Sequence, residues 1–192
     1  GRHIMATRSM QKQNTRERLI KSFFELNSTR PINAITVGEI TKQAGVHRST
    51  FYEHFVDIYA LRESEESEIL NMQMKLIIEP IRQNQLDVLD SNMMLARLRT
   101  IFNAKGSHFA VLVGEYGDPA FVNTFKTNYL GVLTKIFDLD ILDTRSLYLA
   151  EFISSGLIFC IIRLARERDA EIEDIFSFIH PLIANSLEAM RK

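Results

Sequence analysis

The sequence predicts an all-α fold in two parts: a three-helix head, residues 10–57, joined to a longer helical body, residues 58–192. Three observations predict it. With 8 glycines and 4 prolines in 192 residues, punctuation is sparse, which favours long helices over turn-rich β structure. Apolar residues make up 46% of the chain, ample for a buried core, and they recur at helical spacing. The charge is divided: residues 1–62 carry ten Lys and Arg against five Asp and Glu, a balance of +5, which leaves −6 for the remainder and −1 for the whole. A positive head on a negative body is the footprint of a nucleic-acid-binding part joined to a ligand-sensing or dimerising one.

The first five residues, Gly-Arg-His-Ile-Met, read as a cloning remnant and are left out of the fold. Residues 7–14 are polar and basic and are expected to fray. Asn14 is expected to cap a helix running from Thr15, with Glu17 as its box partner. Leu19, Ile20, Phe23, Phe24 and Leu26 form its inward side, with Arg16, Arg18 and Lys21 on or near the outer one. Pro31 pushes Arg30 out of helical geometry and ends it. Thr36 then starts a short helix, and Glu39, three residues on, completes a capping box. Val37, Ile40 and Ala44 give this helix one apolar face, and Gly45 supplies the left-handed conformation that stops it tightly. Val46 plugs the turn. A third helix is expected from His47 to Phe55, with Phe51 and Phe55 inward at i and i+4.

Its other face carries Arg48, Ser49, Thr50, Tyr52 and His54, a row of donors and acceptors with one cation and almost no negative charge. Such a face suits base edges and phosphates, and it suits no ordinary core. The two short helices therefore read as a helix-turn-helix that enters double-stranded DNA. The pattern Thr-Val-x-x-Ile-x-x-x-Ala-Gly-Val-x-Arg-Ser-Thr-Phe-Tyr-x-His-Phe-x-Asp, residues 36–57, resembles the N-terminal domain of tetracycline-repressor-type (TetR family) regulators. The close match covers about a quarter of the chain, and the remainder is similar in size and helical style.

The resemblance implies a transcriptional regulator, commonly a repressor, that binds a palindromic operator as a homodimer. Arg48 is the expected base reader, because a guanidinium matches guanine O6 and N7. Ser49 and Thr50 are expected to read a neighbouring base or a thymine methyl. Thr36 and Tyr52 would hold phosphates, as matching positions do across the family, and His54 is either a further phosphate contact or a surface histidine. His47 stands where the family usually has a capping serine, and it either caps poorly or reaches DNA directly. Two cations are missing: Ile58 replaces a common phosphate-binding lysine, and Val56 replaces a frequent polar or basic residue. Gly38 also stands where many relatives carry a longer side chain that touches DNA. Affinity is then expected to lean on Arg16, Arg18 and Lys42.

In the body, Asp57 caps a long helix running from Ile58 toward Pro80. Its acidic run Glu63, Glu65, Glu66 and Glu68 is expected to be a solvated face rather than a metal site, because no histidine lies at ligand spacing. Residues 91–105 form an amphipathic helix that Lys105-Gly106 is expected to break, followed by a short apolar stretch from His108 to Tyr116. Asp118-Pro119 is a strong helix start, and Phe121, Phe125, Tyr129, Leu133 and Phe137 share the stripe that follows. The run Gly-Asp-Pro-Ala-Phe at 117–121 looks like the effector domain of TetR relatives from Gram-positive bacteria. Two helices, about 144–168 and 172–191, close the chain and are more apolar than one partner needs. Ser154-Ser155-Gly156 is small enough for close helix approach. The resemblance implies a four-helix dimer interface here; the alternative is intrachain core.

An effector pocket is expected from Met72, Phe102, Phe109, Phe121, Phe125, Tyr129, Phe152 and Phe159, which would favour a small apolar or aromatic molecule. No metal or cofactor is expected, and no glycine-rich phosphate loop, internal repeat or low-complexity segment is present. An enzyme is not expected. The best cluster, His108, Glu115, Tyr116 and Asp118 with Cys160 or Arg145, fixes no nucleophile beside a base. Cys160, the single cysteine, has no internal disulfide partner and lies in an apolar run, which fits a reducing cytoplasm. No signal peptide is expected, and the apolar run Gly156–Ile162 is too short to span a bilayer. The alternative function is a helical adaptor or co-regulator that acts through a protein partner and binds DNA weakly. The cation-poor loop Val56–Tyr59 is its support.

Overall fold

The computed structural model describes residues 2–87, 90–136, 142–167 and 171–190, with side chains from Ser9 onward except at 132, 133, 135, 136 and 187–190. Phe137, and the side chains of Leu133 and Leu187, lie outside the described residues. All regular elements among the described residues are helical. They fall into two compact units, Gly1–Glu68 with Gly114–Gly117, and Ile69–Val113 with Asp118–Lys192.

In the first unit, α1 spans Arg2–Asn27, α2 Val37–Ala44 and α3 Arg48–Tyr52, with a single 3-10 turn at Ile32–Ala34. The expected fraying before Thr15 does not occur. No glycine or proline interrupts 2–27, and the exposed Gln13 donates from Nε2 to Glu17 Oε1 at 2.9 Å, one turn on. Asn14 is therefore an exposed position inside the helix and not its cap. Leu19, Ile20, Phe23 and Phe24 are buried against α2, and the two phenylalanine rings meet edge to face at 5.0 Å. Asn27 ends the helix with its side chain fully buried, donating to the carbonyls of Arg30 at 3.1 Å and Tyr116 at 3.3 Å.

Helix α4, Ile58–Gln73, begins where Asp57 Oδ1 accepts from the Ala60 N–H at 2.8 Å. Its acidic run is not a solvated face throughout. Glu65 is fully buried, and Glu66 pairs with Arg62 at 3.2 Å with both side chains largely covered. Period-3.6 reasoning could not see this, because the cover comes from elsewhere in the head: Arg16 lies across α4, donating to Ser64 Oγ at 3.1 Å and reaching Glu68 at 4.0 Å.

In the second unit, α4 continues into a π-helical segment, Met74–Ile78, then α5, Glu79–Arg82. Ile77, Ile78, Ile81 and Leu86 form a core cluster against Met94, Leu98 and Ile101 of α6, Ser91–Leu112. Helix α6 is capped by Asp90, which accepts from the Asn92 and Met93 N–H groups. It passes straight through Gly106, where a break is expected from sequence. One interior glycine costs about 1 kcal/mol, less than burying Phe109 and Leu112 on the continued helix returns. Helix α7, Pro119–Ile136, starts as expected, with Asp118 Oδ1 accepting from Ala120 N at 2.8 Å. Helix α8, Thr144–Arg166, is capped by Asp143, and α9, Ile172–Met190, runs through Pro181. Helix α8 packs on α6, α7 and α9. Its apolar character extends well beyond the run 156–162: over 18 residues its mean hydropathy is 1.8, enough by length and composition to cross a bilayer, although such a helix alone is weak evidence of a span.

Candidate nucleic-acid interface

The helix-turn-helix is built by α2, its turn and α3. Thr36 Oγ1 accepts from Glu39 N at 3.2 Å, and Glu39 Oε2 accepts from Thr36 N at 2.9 Å, so the capping box is complete. The Thr36 hydroxyl also donates to Glu39 Oε2 at 2.7 Å. Arg30 pairs with the same carboxylate at 2.8 Å. The Thr36 hydrogen bond, with Arg30 behind it, holds the Glu39 carboxyl below its ordinary range. Gly45 has φ +65° and ψ +42°, the left-handed stop, and its N–H donates to Lys42 and Thr41 carbonyls. Val46 N donates to Thr41 O at 3.0 Å and completes the turn.

Helix α3 is shorter than the expected 47–55. His47 is its N-cap by position but offers no side-chain cap hydrogen bond, so a serine's function is lost there. Phe51 is fully buried and holds the helix down, packed against Phe55 at 5.7 Å between ring centres. The remaining side chains face away from that core: His47, Arg48 and Ser49 are exposed, Thr50 is half-buried, and Tyr52 is 50% exposed. Arg48 Nη2 donates to the Tyr52 hydroxyl at 3.3 Å, one turn along the same face. His54 is half-buried beside Phe55, and its basicity is lowered, first by burial and then by Lys12. Arg48, Ser49 and Tyr52 are thus brought together on one accessible helix face. Thr36 is exposed at the head of α2, with its hydroxyl proton engaged by Glu39.

The expected supporting cations are mostly engaged within the head. Arg18 donates to the Ala44 and Gly45 carbonyls and closes the end of α2. Arg16 lies over the Phe55 ring at 5.4 Å while it binds Ser64. Lys42 remains exposed. In the following loop, Val56 is 78% exposed, Tyr59 is exposed and Ile58 is half-buried.

The expected effector residues divide differently. Phe102, Phe109, Phe125 and Tyr129 line one apolar cavity in the second unit, of about 20 Å³. Phe121 is buried beside them, with its ring 6.0 Å from both Phe109 and Phe125. Met72 is half-buried and does not line the cavity. Phe152 and Phe159 do not reach it either: they are 77% and 71% exposed on α8, whose inward side is filled by Ile153, Ile158, Ile161 and Ile162. Sequence reasoning missed Gln73, which is 1% exposed and lines the cavity. Its one visible signal is a lone amide between Met72 and Met74. Among the described residues no group of three or more His, Cys, Asp or Glu is placed to hold a metal.

Residues 19–64 match the family described as bacterial regulatory proteins, tetR family. Over nearly the whole chain the fold is similar to two solved structures. One is a TetR transcriptional regulator from Streptococcus agalactiae 2603V, with a TM-score of 0.59 at 20% identity, over 93% of this chain and 98% of that one. The other is the dihydroxyacetone kinase operon activator DhaS, with a TM-score of 0.58 at 16% identity, over 91% of this chain and 97% of that one. Residues 19–64 thus resemble the DNA-binding head of that family, and over nearly its whole length the chain shares the all-helical fold of the two solved structures.

Proposed function

We propose that the protein is a homodimeric repressor that binds a palindromic operator through α3 and leaves it when a small effector enters the second unit. The observation that carries this reading is the exposed α3 face, where Arg48, Ser49 and Tyr52 stand clear of a buried Phe51 anchor. Arg48 takes the base-reading role and Tyr52 a phosphate, with His47, Thr50 and His54 flanking them. Thr36 reaches a phosphate only by exchanging its Glu39 partner. We also propose that the division of labour follows the expected boundary, with 10–57 as the DNA-binding domain and 58–192 as the effector-binding and dimerisation domain.

Dimerisation rests on the outer face of the last two helices. Tyr148, Phe152 and Phe159 are 73%, 77% and 71% exposed at helical spacing on α8, and Phe178 and Leu182 are 68% and 51% exposed on α9. Gly156 opens space on α8, since a Cβ there would meet nothing within 4 Å. A face this apolar is an interface in waiting. A second copy fits it best, because two-fold pairing buries like against like and places two recognition helices for one inverted repeat.

The test is selection of fragments from the source genome by the full chain. The expected result is recovery of a small set of fragments that share an inverted repeat. Recovery of none above background favours the adaptor reading, in which a protein partner is the target.

A further inference from the structure

Helix α1 lays basic groups beside the end of the recognition helix. Lys12 and Arg16, four residues apart, share one face of α1. Phe55 is the seat that brings that face to His54. The Arg16 guanidinium carbon stands 5.4 Å from the Phe55 ring centre, and the His54 ring centre 6.2 Å from it. The His54 backbone N–H donates to Phe51 O at 2.9 Å, which fixes the chain just beyond Tyr52. Lys12 is exposed and His54 half-buried. Arg16 is held in place by Ser64 at 3.1 Å and by Glu68 of α4 at 4.0 Å. All of these residues belong to the first unit.

The charged groups that act on the His54 imidazole are Lys12 and Arg16 from α1 and Glu53 beside it in sequence; Glu68 offsets part of the Arg16 charge. Burial first, and Lys12 next, hold its basicity below the ordinary histidine range, with Arg16 adding to them and Glu53 opposing. A neutral imidazole so placed has one N–H donor and one bare nitrogen. An anion seated against Lys12 and His54 reverses the balance. It lowers the cost of a further positive charge, and the imidazolium offers it a second N–H. The backbone of duplex DNA supplies such an anion at every step.

We propose that Lys12 and His54, with Arg16 behind them, clamp a backbone phosphate of bound DNA, and that His54 takes a proton from solvent as the phosphate seats. The inference deepens the DNA-binding part of the proposed function and rests on that reading. The proton goes to the bare ring nitrogen, and no covalent bond of the DNA or of the chain changes. The bound state then holds more protons than the free chain, so affinity rises as pH falls. The gain begins at the midpoint of His54 in the complex and levels off below its midpoint in the free chain. Since the free midpoint lies below the ordinary range, the gain falls between about pH 8 and about pH 6. A phosphate carries no base information, so any duplex shows it.

The experiment is anisotropy titration of a random-sequence duplex with the full chain at about pH 8 and about pH 6, at fixed salt, with the His54 ring signals followed by NMR. The parent chain is expected to bind about tenfold more tightly at the lower pH, and His54→Gln to lose that gain. His54→Asn repeats the test if the glutamine variant does not fold. The His54 midpoint is expected to rise when the duplex is added. Inorganic phosphate at the same phosphate concentration is expected to leave it where it is. Lys12→Gln is expected to raise the midpoint of the free chain and to flatten log K against log salt by about 0.9 per subunit. A gain that survives loss of the imidazole, a midpoint that DNA does not move, a shift that inorganic phosphate reproduces, or a Lys12 variant that changes neither quantity overturns the proposal. Equal duplex binding at both pH values removes the proton uptake and leaves DNA recognition intact, whereas no duplex binding at either pH removes the DNA-binding reading with it.

Discussion

At the scale of the residue, the duties proposed for Arg48 and Tyr52 are separable although the two side chains touch. Changing Arg48 to Ala is expected to weaken cognate-operator binding by about 1–3 kcal/mol and relax preference at one base pair, read by anisotropy titration of operator and scrambled duplexes. Tyr52→Phe is expected to weaken both duplexes alike, because a phosphate contact carries no base information. Loss of the same factor on both duplexes for Arg48→Ala would contradict its role as a reader. The residues of this face were legible in the sequence because an inward Phe51 fixes where the others point. The duties of Arg16, Arg18 and Thr36 were not legible. Each is engaged by a partner distant in sequence or by a second hydrogen bond of the cap, which only packing reveals. Gln73 escaped for the same reason: nothing local distinguishes a buried amide from an exposed one.

At the scale of the element, helix starts were legible and helix lengths were not. Thr36, Asp57 and Asp118 accept the N–H groups their positions promise, since a cap is a local event. Helix α6 passes Gly106 because of what it buries beyond it, whereas α1 has no start at Asn14 because no glycine or proline interrupts its exposed first turns. The turn after α2 is the stricter point. Gly45 sits at φ +65°, and a Cβ there would also meet Arg18 Nη2 at 3.0 Å. Gly45→Ala is expected to destabilise the chain by about 1–2 kcal/mol in urea unfolding, the cost of a left-handed non-glycine residue. An unchanged midpoint would mean that the turn relaxes freely. The loop before α4 supplies the complementary test. Val56 is 78% exposed and carries no charge. Val56→Lys is expected to tighten binding to operator and random DNA together and to steepen log K against log salt by about 0.9 per subunit, at an unchanged melting temperature. A slope that does not move would place this loop away from the phosphates.

At the scale of the whole molecule, the all-helical class followed from sparse glycine and proline and from period-3.6 apolar patterning. The α8 stripe was read from sequence as inward pocket wall at Phe152 and Phe159, yet it is outward. Alternating faces of an apolar helix are indistinguishable in sequence when both are apolar. That outward stripe sets the expected assembly. The full chain is expected to sediment as a dimer at micromolar concentration, and Phe152→Asp to give a monomer that stays folded by circular dichroism. A parent chain that is monomeric at that concentration would remove the dimer. Without it there is no reason for operator symmetry. The most direct measurement is therefore a hydroxyl-radical footprint of the full chain on a recovered genomic fragment. The expected pattern is two protected patches related by a dyad on one face of the duplex, their centres about 34–36 Å apart or a multiple of one helical turn. A single asymmetric patch, or protection that ignores sequence, would contradict a symmetric dimer reading DNA through α3.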